Sequence, residues 1–162
     1  MRRIYVSDTN IWIDFRNAGL LDDLFRLPFT FCSTDFVLDE LQDLAHDELT
    51  QRGLVVETLD SDAIASLMSL TAEHNNSSLA DVSCYFLARQ LGLPLLTGDG
   101  RLRRQAQKDG MAVHGALWLL DQLLMRNVTD QRRLATALHA MLMAGSRLPA
   151  DECDRRLKEW TA

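Results

Sequence analysis

Apolar residues arrive along this chain in short runs that alternate with longer amphipathic stretches. Ile4-Tyr5-Val6, Phe29-Thr30-Phe31-Cys32-Ser33, Leu54 to Leu59, Leu93 to Thr97 and Met111 to His114 are short, rich in β-branched, aromatic or aliphatic residues, and bounded by turn formers. They predict strands, the first buried on both faces. The stretches between them carry helical spacing: Asn10 to Phe15, then Leu20, Leu21, Leu24 and Phe25 beyond a break at Gly19. Thr34 or Asp35 caps a helix with Phe36, Val37, Leu41, Leu44 and Ala45 on its buried stripe, running to Gly53. Ser61 caps another that carries Ala63, Ile64, Leu67, Met68 and Leu70. His74-Asn75-Asn76-Ser77-Ser78 reads as a polar loop leading into the strongly apolar helix Leu79 to Ala88. Arg101, Arg103 and Arg104 open a further helix. Beyond Gly115 the chain is helical throughout: Ala116 to Met125, a segment capped by Thr129 or Asp130, and Asp151 to Trp160.

Strand and helix in alternation predict an α/β fold, a three-layer α/β/α sandwich with a mostly parallel central sheet and a helical C-terminal tail. Residues 1–162 form a single domain in this reading, with 1–126 as the α/β core and 127–162 as helices packed on it or extending from it. Two strands end on an aspartate. Asp8-Thr9-Asn10 follows the first, and Gly98-Asp99-Gly100 follows Leu93 to Thr97. In a parallel sheet the residues after the strands converge on one edge, where ligands bind, so these two acids can be neighbours despite their separation in sequence. Each is equally an ordinary helix cap. Ser78-x-x-Asp81 fits a capping box in the same way.

Composition narrows the setting. Hydrophobic residues make up 47% of the 162 and charged residues 25%, as in a soluble globular domain. No secretory segment and no apolar run of membrane-spanning length is visible. Cys32, Cys84 and Cys153 are dispersed in apolar surroundings, which predicts buried thiols and a reducing, cytoplasmic compartment. The net charge of −6 argues against a nucleic-acid coat protein. The charge is uneven, however: residues 1–98 hold 15 acids against 6 basic residues, and residues 99–162 hold 8 against 11.

Glu40, on the edge of its helix's apolar stripe, and Asp81 lie near starts of helices at the same predicted edge as Asp8 and Asp99. Like charges about 4 Å apart repel by about 4 kcal/mol per pair at an effective dielectric of 20, so protons or a cation must compensate. Helix starts favour the ionised form, which makes a divalent cation the better compensator. Oxygen donors without His or Cys at ligand spacing select Mg²⁺, with Mn²⁺ as a substitute, over zinc. Such an ion activates water and screens a phosphodiester's developing charge, so the expected reaction is phosphodiester hydrolysis. Arg101, Arg103 and Arg104 are candidates for phosphate contact or a solvated face. Trp12 reads as core, or as a base-stacking or dimer-interface residue. The four histidines carry no assigned role, and Asp14, Asp35, Asp39 and Asp62 read as surface or capping acids.

Asp8-Thr9-Asn10 after a strand, Val37-x-x-Glu40-Leu41, Leu79-Ala80-Asp81 and Thr97-Gly98-Asp99, in this order, resemble the PIN-domain nucleases, and among them the toxin ribonucleases of VapBC-type toxin-antitoxin pairs. The resemblance spans roughly residues 4 to 125. It implies a PIN-like α/β/α sandwich in which Asp8, Glu40, Asp81 and Asp99 are the metal-binding catalytic acids, with Asn10 and Thr97 as supporting polar residues. Asp8 and Asp99 would be direct or water-bridged ligands, with Asp81 and Glu40 completing the shell or orienting water. It further implies Mg²⁺-dependent cleavage of single-stranded RNA regions, a homodimer, and a small antitoxin whose tail enters the acidic groove. The chain departs from the commonest pattern in lacking a further acid beside Asp99 and in being more acidic. Competing readings are a catalytically silent PIN-like or other doubly wound domain that binds protein or RNA, and four unrelated caps whose carboxylates lie far apart. A receiver-type signalling domain needs adjacent acids after its first strand and a Lys after its last, and both are missing here.

Overall fold

The computed structural model describes residues 2–41, 44, 46–73 and 77–162. Among these, five short strands form one sheet: β1 (Arg3–Ser7), β2 (Phe29–Thr34), β3 (Val55–Glu57), β4 (Leu95–Leu96) and β5 (Val113–His114). Their order is β3-β2-β1-β4-β5 and every pairing is parallel. The chain moves outward from β1 through β2 to β3, then returns to lay β4 on the other side of β1. The strand order therefore reverses between β1 and β4, and a crevice opens at their carboxyl ends.

The described residues also form ten helices around the sheet: α1 (Thr9–Asn17), α2 (Leu21–Leu24), α3 (Asp35–Glu40), α4 (His46–Thr50), α5 (Ser61–Glu73), α6 (Leu79–Leu91), α7 (Gly100–Lys108), α8 (Ala116–Met125), α9 (Gln131–Met143) and α10 (Ala150–Trp160). The predicted boundaries hold closely for α8, α9 and α10, because each is framed by a cap or breaker. Gly92 closes α6 in the left-handed conformation, φ 66°.

Side-chain alternation along the strands divides the core. Tyr5, Phe29 and Phe31 point to the layer containing α1, α2 and α8, where Trp12, Phe25 and Trp118 meet them ring on ring at 4.8–6.0 Å in Tyr5–Phe29, Tyr5–Trp118, Trp12–Phe31, Phe25–Phe31 and Phe29–Trp118. Trp12 is fully buried, its ring stacked on Phe25 and its Nε1 donating to Ser33 Oγ at 3.0 Å, so it is core. Helix α6 lies against β1, β2 and β4 from the other face, with α3, α5 and α7 packed around it. That enclosure on all sides explains why residues 80 to 88 are all buried and, apart from Asp81 and Tyr85, apolar or small. The tail returns to the core: α9 packs on α1 and α8, and α10 on α9. Asp23, buried on α2, pairs with Arg133 of α9 at 2.7 Å, and Arg156 of α10 grips Asp121 of α8 through two bonds of 2.9 and 2.6 Å.

Three expectations change. Ile4 is 39% exposed, because its place at the amino end of β1 leaves it uncovered. The helix expected to continue to Gly53 breaks after Glu40, where Leu41 takes an extended ψ of 96°, and resumes as α4. Ala45 of its stripe and His74-Asn75-Asn76 of the polar loop lie outside the described residues. The cap of α5 is Asp60, whose Oδ1 accepts from Ala63 N at 2.8 Å, with Ser61 the first helical residue. Cys32, Cys84 and Cys153 are free and buried, as expected, and burial pushes the Cys32 thiol up to about 11.

Candidate active site

Asp8 follows β1 directly and is fully buried. Its backbone N–H continues the β1–β4 ladder to Leu96 O at 3.0 Å, which fixes the carboxylate opposite Thr97. The cap reading and the site reading both describe it. Oδ1 caps α1 by accepting from Ile11 N at 3.1 Å, while Oδ2 accepts from Thr97 Oγ1 at 2.7 Å and Gly98 N at 2.9 Å. Gly98 also packs closely on Asn10, where an added Cβ would sit 3.3 Å from the Asn10 Cβ.

Asp99 divides its work in the same way. Oδ1 caps α7 through Arg101 N (2.8 Å) and Leu102 N (3.2 Å), and Oδ2 accepts from Ser77 Oγ at 2.7 Å. Its own N–H donates to Thr97 Oγ1 at 3.0 Å, so one threonine hydroxyl ties the two aspartates together. Glu40 is the last residue of α3, a correction to its expected place at a helix start, and it is exposed. Thr9 Oγ1 donates to Glu40 Oε2 at 2.8 Å, and Ser78 Oγ reaches the same oxygen at 3.5 Å. Asp81 enters on the first turn of α6, its N–H donating to Ser78 Oγ at 3.0 Å as the capping box predicts. It is buried, and its Oδ1 has no hydrogen-bond partner.

The acids share one electrostatic neighbourhood. Burial pushes the Asp81 carboxyl up to about 7, reinforced by the charges of Asp8, Glu40 and Asp99. Burial also lifts Asp8 to about 6 against the lowering effect of the bonds from Thr97, Gly98 and Ile11. The expectation that helix starts hold these acids ionised is therefore overturned for both: the helix-end contribution is smaller than the cost of removing a carboxylate from water. Among the described residues, no three His, Cys, Asp or Glu side chains stand close enough together to hold a metal ion in this arrangement. An Mg²⁺ ion retaining most of its waters needs only one or two carboxylates. The bare, buried Oδ1 of Asp81 and the all-oxygen donor set fit such an ion.

The supporting residues separate. Thr97 is fully buried and bonded to both aspartates. Asn10 is exposed against Gly98 and, among the described residues, bonds neither aspartate. Thr9, Ser77 and Ser78 each place a hydroxyl on an acid. Their sequence signal was faint: Thr9 stands inside the Asp8 motif and the serines end a polar loop. Behind the site, Ser33 Oγ donates to Ser7 O at 2.6 Å and Thr34 Oγ1 meets Ser83 Oγ at 2.6 Å, which braces the turn that carries Asp8. Asp14, expected at the surface, is half-buried and accepts from Ser146 Oγ, and burial raises its pKa. Asp35 is half-buried too, while Asp39 and Asp62 are exposed as expected.

From Asp99 a cleft of about 1390 Å³ runs along α7 and β5 to the loop between α9 and α10. Its floor includes His114, stacked on Trp118 at 3.9 Å. Of the three arginines opening α7, Arg101 and Arg104 are exposed on its rim. Arg103 turns inward instead, its guanidinium donating to Thr97 O at 3.1 Å over Gly115, whose missing Cβ leaves the space. It therefore braces the Thr97 turn, which the charge run alone did not reveal.

No curated protein matches this chain in sequence. In fold it resembles a PilT N-terminus domain protein from the hyperthermophilic archaeon Sulfolobus solfataricus, with a TM-score of 0.51 at 14% identity, over 75% of this chain and 93% of that one. Among the described residues, no helix is long and apolar enough to cross a membrane. A family model, DUF3368, described as a PIN domain, matches residues 4–162, so the chain belongs to the PIN-domain family, whose members are commonly nucleases.

Proposed function

We propose that this PIN domain is an Mg²⁺-dependent endoribonuclease that cuts single-stranded regions of RNA, with Mn²⁺ able to substitute. The observation carrying this reading is that four separate chain segments deliver Asp8, Glu40, Asp81 and Asp99 to one sheet edge, where Asp81 keeps a buried oxygen without a partner. Asp81 and Asp8 would hold the ion, with Glu40 and Asp99 completing its shell through direct or water-bridged contacts. Once bound, the ion would lower the pKa of a water and offset the phosphodiester's growing negative charge. The protein's own groups do the positioning. Thr97 and Gly98 orient Asp8, Thr9 orients Glu40, and Ser77 orients Asp99. The proton acceptor belongs to the coupled acids as a group.

We further propose that the protein serves as the toxin of a type II toxin-antitoxin pair similar to VapBC, acting in the cytoplasm as a homodimer restrained by a small antitoxin. The motif order supports this.

A second reading, a catalytically silent module binding protein or RNA, is favoured by the spacing of the acids, which brings no three within ligating distance among the described residues. One experiment separates the two: incubate the protein with tRNA and mRNA pools in Mg²⁺ or EDTA, alongside Asp8→Asn and Asp99→Asn. The nuclease reading expects cleavage by wild type in Mg²⁺ alone, with both folded variants inactive. Retained cleavage in either variant removes the mechanism, and absence of cleavage by wild type selects the silent module.

A further inference from the structure

The charge imbalance of the sequence acquires a location in the fold. Arg26 and Arg133 engage Asp23, Arg52 engages Asp22 and Arg156 engages Asp121, while Arg103 is fixed in place by its bond to Thr97 O and keeps its charge. Arg101, Arg104 and Arg147, by contrast, are exposed and have no acid partner among the described residues, and all three line the cleft that starts at Asp99. Arg101 and Arg104 lie three residues apart, on one face of α7. Arg147 belongs to the loop between α9 and α10, so the helical tail contributes to the cleft. Four acids line it against five arginines. Asp121 is neutralised by the two bonds from Arg156, Asp14 accepts from Ser146, Asp99 caps α7, and Glu152 is exposed at the α10 end. The cationic surplus therefore lies on the rim formed by Arg101, Arg104 and Arg147. In a chain of 23 acids and 17 basic residues, unneutralised cations gathered at one cleft beside a carboxylate site call for an anionic occupant.

We infer that this cleft is the track for the sugar-phosphate backbone of a single-stranded nucleic acid leaving the acid cluster, with Arg101 and Arg104 on one side and Arg147 on the other contacting successive phosphates. This rests on the nuclease reading for the identity of its occupant and extends it by assigning the tail a part in substrate binding. It also gives the arginine run divided roles: Arg103 positions the Thr97 turn, while Arg101 and Arg104 meet substrate.

The test measures binding without cleavage. Fluorescence anisotropy of labelled single-stranded RNA and DNA of one sequence, in EDTA, is compared for wild type, Arg104→Ala/Arg147→Ala, and the control Arg132→Ala/Arg155→Ala, which removes two exposed arginines outside the cleft. Thermal melts check that each variant folds. The track predicts about tenfold weaker binding for the cleft variant at low salt, and a salt slope shallower by about 0.7 for each lost phosphate contact. The control should stay within about twofold of wild type, its charge change being the same. RNA binding tighter than DNA identifies RNA as the occupant, and equal binding identifies recognition through phosphate alone; both support the track. Unchanged binding by the cleft variant, or an equal loss in the control, overturns it. Cleavage is scored separately with Asp8→Asn, so failure of the metal-site mechanism leaves the binding result intact, and the reverse.

Discussion

Replacing Asp81 with Asn should stabilise the metal-free protein at neutral and alkaline pH, and only there. Asp81 is buried, its Oδ1 lacks a partner, and Asp8, Glu40 and Asp99 repel it, so its pKa stands at about 7 against an ordinary 3.8. A carboxyl whose pKa is raised by folding binds its proton more tightly in the native state. The associated stability is fully present below pH 3.8 and drains away as pH climbs to about 7. At about 1.4 kcal/mol per pH unit, the drain reaches roughly 4 kcal/mol. The amide must still be desolvated, so a net gain of about 2 kcal/mol is expected at pH 8, or about 4–8 °C in Tm for a chain of this size. Melts of wild type and Asp81→Asn in EDTA, at steps from pH 4 to 8, should show the two curves separating between pH 4 and 7 and running parallel above. Added Mg²⁺ should raise the wild-type Tm and not the variant's. A variant less stable than wild type at pH 8, or a gap independent of pH, would refute the account of Asp81 as a charge held at a cost.

Other substitutions probe the scaffold. Thr9→Ala releases Glu40 and should lower Mg²⁺ affinity or cleavage by about 10–100-fold with little change in Tm, with Thr9→Ser restoring it. Thr97→Val strips a hydroxyl from both Asp8 and Asp99, and denaturant unfolding should register a loss of about 2–3 kcal/mol, larger above pH 6, where Asp8 is charged. Arg156→Ala leaves Asp121 without its two bonds and should detach α10, costing about 3 kcal/mol by calorimetry while sparing Mg²⁺ binding at the acids.

The sequence disclosed the elements that punctuation marks. Strands ending in Asp8 and in Thr97-Gly98-Asp99 could be placed at one edge because parallel topology brings carboxyl ends together, and caps such as Ser78 and Asp130 announce their helices in the residues themselves. What escaped depends on partners distant in the chain. Nothing around Leu41 announces that its backbone turns extended, so the sequence alone sets Glu40 near the start of a long helix when it ends a short one. Local rules favour ionised aspartates at helix starts, and only the packed fold shows that burial outweighs this for Asp8 and Asp81. Arg103 matches its neighbours in sequence and differs from them only because Gly115, twelve residues on, leaves room for it. The contribution of Arg147 to the cleft was equally hidden, since it depends on how the tail folds back.

The central claim is that these acids together bind a divalent cation, and isothermal titration of Mg²⁺ into the purified protein at pH 8 tests it most directly. The account predicts a saturable isotherm for wild type that disappears in Asp8→Asn and Asp81→Asn while both variants melt as folded proteins. Identical isotherms for wild type and variants would contradict it.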